Sequence, residues 1–113
     1  MKGEFIPENL TVGGPMVEAV EMVMLKKGES VTRGQVLAKD GSEYVAWSDG
    51  TDAVRIAHED ADATDEAVGL SVFKGGNFNF NALILPDDTK PMVISDTLWV
   101  NNIHVATNIS GGV

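Results

Sequence analysis

From Lys39 to Phe80, apolar runs too short for helices alternate with glycine-containing turns. Tyr44-Val45-Ala46-Trp47, Ala53 to Ala57 and Ala67 to Phe73 are the runs, and Asp40-Gly41, Asp49-Gly50 and Gly75-Gly76-Asn77 punctuate them. Such spacing predicts consecutive short antiparallel strands. Val36-Leu37-Ala38 and Tyr44 to Trp47 flank Asp40-Gly41 as a hairpin, because Asp-Gly supplies the positive φ of a tight turn. Period-two alternation sends Tyr44 and Ala46 to one face and Val45 and Trp47 to the other. Trp47 is then a core or subunit-interface anchor, large in area at modest entropic cost. The same alternation puts Val54, Ile56 and His58 together and Arg55 opposite, and sets Val68, Leu70 and Val72 against Gly69, Ser71 and Phe73. Lys74-Gly75-Gly76-Asn77 reads as a hairpin turn; no Gly-Lys-Ser/Thr follows to make it a phosphate loop. Beyond it, Phe78 and Phe80 face one way and Asn79 and Asn81 the other.

Residues 1–15 contain Pro7, Asn9, Gly13, Gly14 and Pro15, with Phe5, Ile6, Leu10 and Val12 as apolar anchors. So little apolar surface does not offset the ordering of the chain, which predicts a flexible arm. Met16 to Leu25 fits either a helix, with Glu18 and Glu21 three apart, or a strand carrying a bulge. Its methionines read as adaptable packing. Lys26-Lys27-Gly28-Glu29 is a turn. The following Gly-Glu-x-Val-x-x-Gly-Gln-x-Leu, residues 28 to 37, resembles part of the biotinyl and lipoyl carrier domains. The nearest acceptor for a carrier group, Lys39, lacks the matching flanks. After Ala82 to Leu85, halted by Pro86, Thr89 as cap and Pro91 in the first turn predict a helix over Met92 to Asn102. Asn101-Asn102 ends it, Ile103 to Ala106 forms a last strand, and Ser110 to Val113 is a loose tail.

A length of 113 residues with 43% hydrophobic content suits one domain and a packed core. There is no cysteine, hence no disulfide framework or thiolate metal site. No apolar run approaches the roughly 20 residues that span a bilayer, and the first residues carry no apolar signal region, so neither membrane nor export is expected. The net charge of −9 repels phosphate backbones and argues against nucleic acid as a partner. In the acidic stretch 59–66, Asp60, Asp62 and Asp65 offer hard oxygen ligands, but EF-hand spacing fails, and a solvated turn is expected. His58 and His104 stand in different segments without a nucleophile signature. The expectation is a non-enzyme with neither catalytic residues nor metal nor cofactor.

Together, several stretches resemble one family. Arg33-Gly34-Gln35-Val36-Leu37, Tyr44 to Asp52, Glu59 to Thr64, Phe73-Lys74-Gly75-Gly76-Asn77-Phe78 and Asn81 to Pro86 look, in that order, like the lambda-type phage head decoration proteins. Arg55 departs from it, standing where related chains often have a small residue. The resemblance implies a mainly β fold: a small, bent-ribbon, β-clip-like barrel of short antiparallel strands with one short C-terminal helix. It implies an arm at residues 1–15, a single domain at 16–113, and a homotrimer on the outer capsid surface at three-fold and quasi-three-fold positions. Assembled in the host cytoplasm, such trimers clamp the major capsid protein against the pressure of packaged DNA. The capsid-binding arm would carry Phe5, Ile6, Leu10 and Val12, and Trp47 and Trp99 would be trimer or core anchors. The alternative is a small β-barrel interaction module or a carrier-like domain.

Overall fold

Residues 10–11, 19–48, 52–86 and 89–106 are described by the computed structural model. Within them run β1 (Ala19–Leu25), β2 (Ser30–Val31), β3 (Val36–Asp40), β4 (Glu43–Ala46), β5 (Ala53–Ala57), β6 (Ala61–Asp62), β7 (Val68–Asn79), α1 (Pro91–Trp99) and β8 (Ile103–Ala106), with a 3₁₀ turn at Phe80–Ala82. The main sheet has the order β1-β4-β3-β5-β7-β8. Because β1 also pairs with β7, strands β1, β4, β3, β5 and β7 close into a barrel. The fold is thus mainly β, with one helix near the C-terminal end. Most pairings are antiparallel, but β1 meets β4, and β7 meets β8, in parallel.

Alternation along the strands separates two cores. Leu25, Leu37, Tyr44, Ala57, Leu70 and Val72 point inward from the five barrel strands. Val31 of β2 and Ala63, just after β6, join them. Outside the barrel, Val36, Ala38, Trp47, Ala53, Ile56, Phe73 and Phe78 meet Ile94 and Leu98 of α1 and Ile103 and Val105 of β8. The predicted split of the β4 segment holds: Tyr44 and Ala46 serve the inner core, Val45 and Trp47 the outer. The β3–β4 turn also forms, with Asp40 paired to Glu43 and Gly41 at φ +66°.

Several local expectations give way. Of Met16 to Leu25, Ala19–Leu25 form a strand with a register shift between Ala19 and Val20, whereas Met16, Val17 and Glu18 lie outside the described residues. In β5, Val54 and Ile56 do not share a face: Val54 packs on the inner core and Ile56 on the outer. Opposite β3, Leu37 pairs with Arg55 but Ala38 with Ala53, so a bulge inserts Val54 and shifts the phase. Gly75-Gly76 is no hairpin turn, because β7 runs unbroken through both for twelve residues. Here β7 exchanges partners, from β1 opposite Ala19 at Gly75 to β8 opposite Ile103 at Gly76. Gly76 supports that exchange at φ +134°, its N–H donating to the carbonyl of Asn102 at 3.1 Å. Phe78 and Phe80 both serve the outer core, but the strand ends at Asn79 and the chain tightens there, Asn81 N–H bonding Asn79 Oδ1 at 3.1 Å. Thr89 does not cap α1: its hydroxyl donates to the Pro86 carbonyl at 2.6 Å, and Lys90 holds the cap position without a side-chain bond. Asn102, at φ +67°, stops the chain after the helix.

Candidate interaction surface

The chain enters the fold at Leu10 and Thr11. The Leu10 carbonyl accepts the Asn79 N–H at 2.9 Å, and Thr11 bridges Phe78 in antiparallel sense. Leu10 is 2% exposed and belongs to the outer core. Gly34, at φ +95°, lies against it, and a Cβ there would stand in ordinary contact, 3.6 Å from Leu10 Cδ1. Leu10, expected in an arm over residues 1–15, is instead packed into the outer core. Phe5, Ile6 and Val12 lie outside the described residues.

The tryptophans separate. Trp47 is 2% exposed, and its backbone N–H donates to the Val36 carbonyl at 2.8 Å. Trp99, at the end of α1, is 53% exposed. Ile94 and Leu98 face the core, and at about 100° per residue Met92, Val93, Asp96, Trp99 and Val100 fall on the opposite arc. Met92 and Val100 are more than three-quarters exposed, which leaves an apolar surface broken by one carboxylate, Asp96. Behind it, the His104 ring stands edge-on to Trp99 at 5.4 Å, and its Nδ1 lies 3.2 Å from Asn77 Oδ1. Sequence reasoning missed the arc, although apolar residues on both sides of a nine-residue helix signal a second covered face.

A second exposed apolar strip runs along β1, where Val20, Met22 and Met24 alternate with the inward-facing Val23 and Leu25. Across from them on β7 stand Ser71 and Gly69, too small to cover the methionines.

The acidic stretch bonds its own surroundings. Asp60 accepts the Arg33 N–H at 2.8 Å, and Glu59 the Ser71 N–H at 2.8 Å. Asp62 accepts both the backbone N–H and the hydroxyl of Thr64, which hold its carboxyl below the usual carboxylate range. Part of the stretch is strand β6 rather than turn. Among the described residues no group of three His, Asp or Glu could hold a metal ion, and no helix is long and apolar enough to cross a membrane. His58 turns Nδ1 to Ser71 Oγ at 3.1 Å and its ring edge to Phe73. Lys39 lies in the ladder opposite Tyr44, short of the hairpin tip where a carrier would present its lysine.

Fold and surface together define a small β-barrel protein in which, among the described residues, the exposed large apolar side chains other than Ile84 lie on β1 and on or just after α1. The family model for bacteriophage lambda head decoration protein D matches residues 2–95, and the chain belongs to that family. It is a structural protein of the phage head, associated with the capsid. No curated protein matches it.

Proposed function

We propose that this protein trimerises on the outer surface of the phage head at three-fold positions and braces the capsid against packaged DNA, without catalysing a reaction. The family match carries the reading, and it begins at residue 2, so the stretch ahead of the domain belongs to the shared pattern. Physical chemistry supports the finer points. A net charge of −9 suits a surface turned away from DNA. Residues 1–9, rooted by Leu10 in the outer core, form the capsid-binding arm, with Phe5 and Ile6 as its apolar anchors. Three arms on one trimer bind together, so modest contacts sum through effective concentration. The Trp99 arc of α1 is the subunit contact, since an exposed tryptophan within an apolar patch has the character of an interface anchor.

Deleting residues 2–9 tests the arm while sparing the buried Leu10. The truncated protein is expected to remain a folded trimer and to lose binding to expanded heads; unchanged binding refutes the assignment. For the subunit contact, Trp99→Ser is expected to reduce the mass in solution from trimer toward monomer without unfolding, because Trp99 lies outside both cores. A variant that stays trimeric moves the contact elsewhere.

A further inference from the structure

A barrel strand is paired on both sides, yet β1 is paired fully on one side only. β7 lines it from Ala19 to Leu25, whereas β4 meets it at Leu25 alone. Among the described residues nothing pairs with residues 19–24 on the side away from β7. Every second residue there turns its N–H and C=O outward, which leaves a template for another strand. The neighbouring edge differs, for the Ala46 N–H of β4 is taken by the Glu29 carboxylate at 2.9 Å. The protections that β1 carries are partial: Glu21 is an inward-facing charge, but it is bound to Arg55 at 2.7 Å, the register shift lies at the very start between Ala19 and Val20, and the strand has no proline or lysine. The open edge and the strip of Val20, Met22 and Met24 are one continuous surface.

We infer that this edge receives an extended segment of the capsid protein, which pairs with the backbone of residues 19–24 and lays apolar side chains over Val20, Met22 and Met24. The inference rests on the head-binding reading above and adds a second contact to the arm. Three alternatives fit less well. The protein's own arm leaves from Leu10, beside Asn79 and eight residues along β7 from Ser71, the partner of Met22. That is roughly 27 Å, so the nine residues ahead of Leu10 would have to run back along nearly their whole reach. A second copy pairing β1 with β1 makes a two-fold contact, which a three-fold ring does not use. Nor does the strip suffice to hold a free copy. At the exposures of its three side chains it offers about 300 Å², well under the ~800 Å² per partner of a stable interface. A strand already brought close by a docked arm needs no such area. Methionine suits the task, because its flexible side chain repacks on arrival.

The test combines hydrogen exchange with charge insertion. Wild-type protein is bound to expanded heads assembled without it, and amide exchange of residues 19–24 is compared free and bound. Exchange is expected to slow at least tenfold on the heads. The double variant Val20→Lys, Met22→Lys changes exposed side chains only and places lysine where natural edge strands use it to refuse pairing. It is expected to keep the wild-type mass and bind heads at least tenfold more weakly. Unchanged exchange on the head, unchanged binding of the variant, or a fall in its mass overturns the inference, the last by making a second copy the occupant. Wild-type protein that fails to bind heads at all refutes the head-binding reading first, and this inference with it.

Discussion

Gly34 and Gly69 are the same residue under different constraints. Gly34 sits at φ +95° beneath Leu10, with the Ala82 carbonyl oxygen 3.4 Å from the position of a Cβ. A side chain there would make only ordinary contacts with its neighbours, but the backbone conformation strains it. Gly34→Ala is expected to cost about 1–3 kcal/mol. Gly69 lies in β7 without a positive φ, and its only near neighbour is the flexible end of Met22 at 3.2 Å. Gly69→Ala is expected to be neutral or to stabilise by less than about 1 kcal/mol, since it restricts the unfolded chain. Urea midpoints of the two variants check both; a Gly34→Ala midpoint equal to the wild type contradicts the strain assigned to its positive φ.

Among the elements, β5 shows what the sequence conveys and what it withholds. Period two was legible in β4, where both faces are buried and an apolar run must still alternate. It failed in β5 because the bulge at Val54 and Arg55 carries no glycine to mark it. The bulge gives Arg55 its place. Its Nε meets Glu21 of β1 at 2.7 Å, and its Nη1 donates to the Val54 carbonyl and to Asn101 Oδ1 after α1. A residue that departs from the family pattern thus ties three parts of the chain together. With both side chains still partly exposed, Arg55→Ala is expected to destabilise by about 1–2 kcal/mol in chemical denaturation. A cost indistinguishable from zero would mean that solvent already screens the pair. Gly75-Gly76 was misread for a different reason. Two glycines permit a reversal and a change of partner equally well, and only the distant β8 and Asn102 decide between them.

For the whole molecule, composition and turn spacing revealed a small β-rich domain, and the order of the motifs revealed its family. The candidate surfaces were less legible. Trp47 and Trp99 are alike in sequence, and burial of the one and exposure of the other follow from packing between distant segments. Leu10 resembled its neighbours in the arm until pairing with Phe78 and Asn79 drew it into the core. Among the described residues β4 meets β1 at Leu25 alone because the β3–β4 hairpin turns back at Gly41, and no period in the sequence records where a neighbouring strand stops.

The central claim, an exterior brace at the three-fold positions, is tested most directly by cryo-electron microscopy of expanded heads from its own phage, assembled without this protein and then incubated with it. The account predicts added density on the outer surface at the three-fold positions, three barrels to a site, with each chain continuing below Leu10 into the capsid. Density at another position, on the inner surface, or none at saturating protein would contradict it.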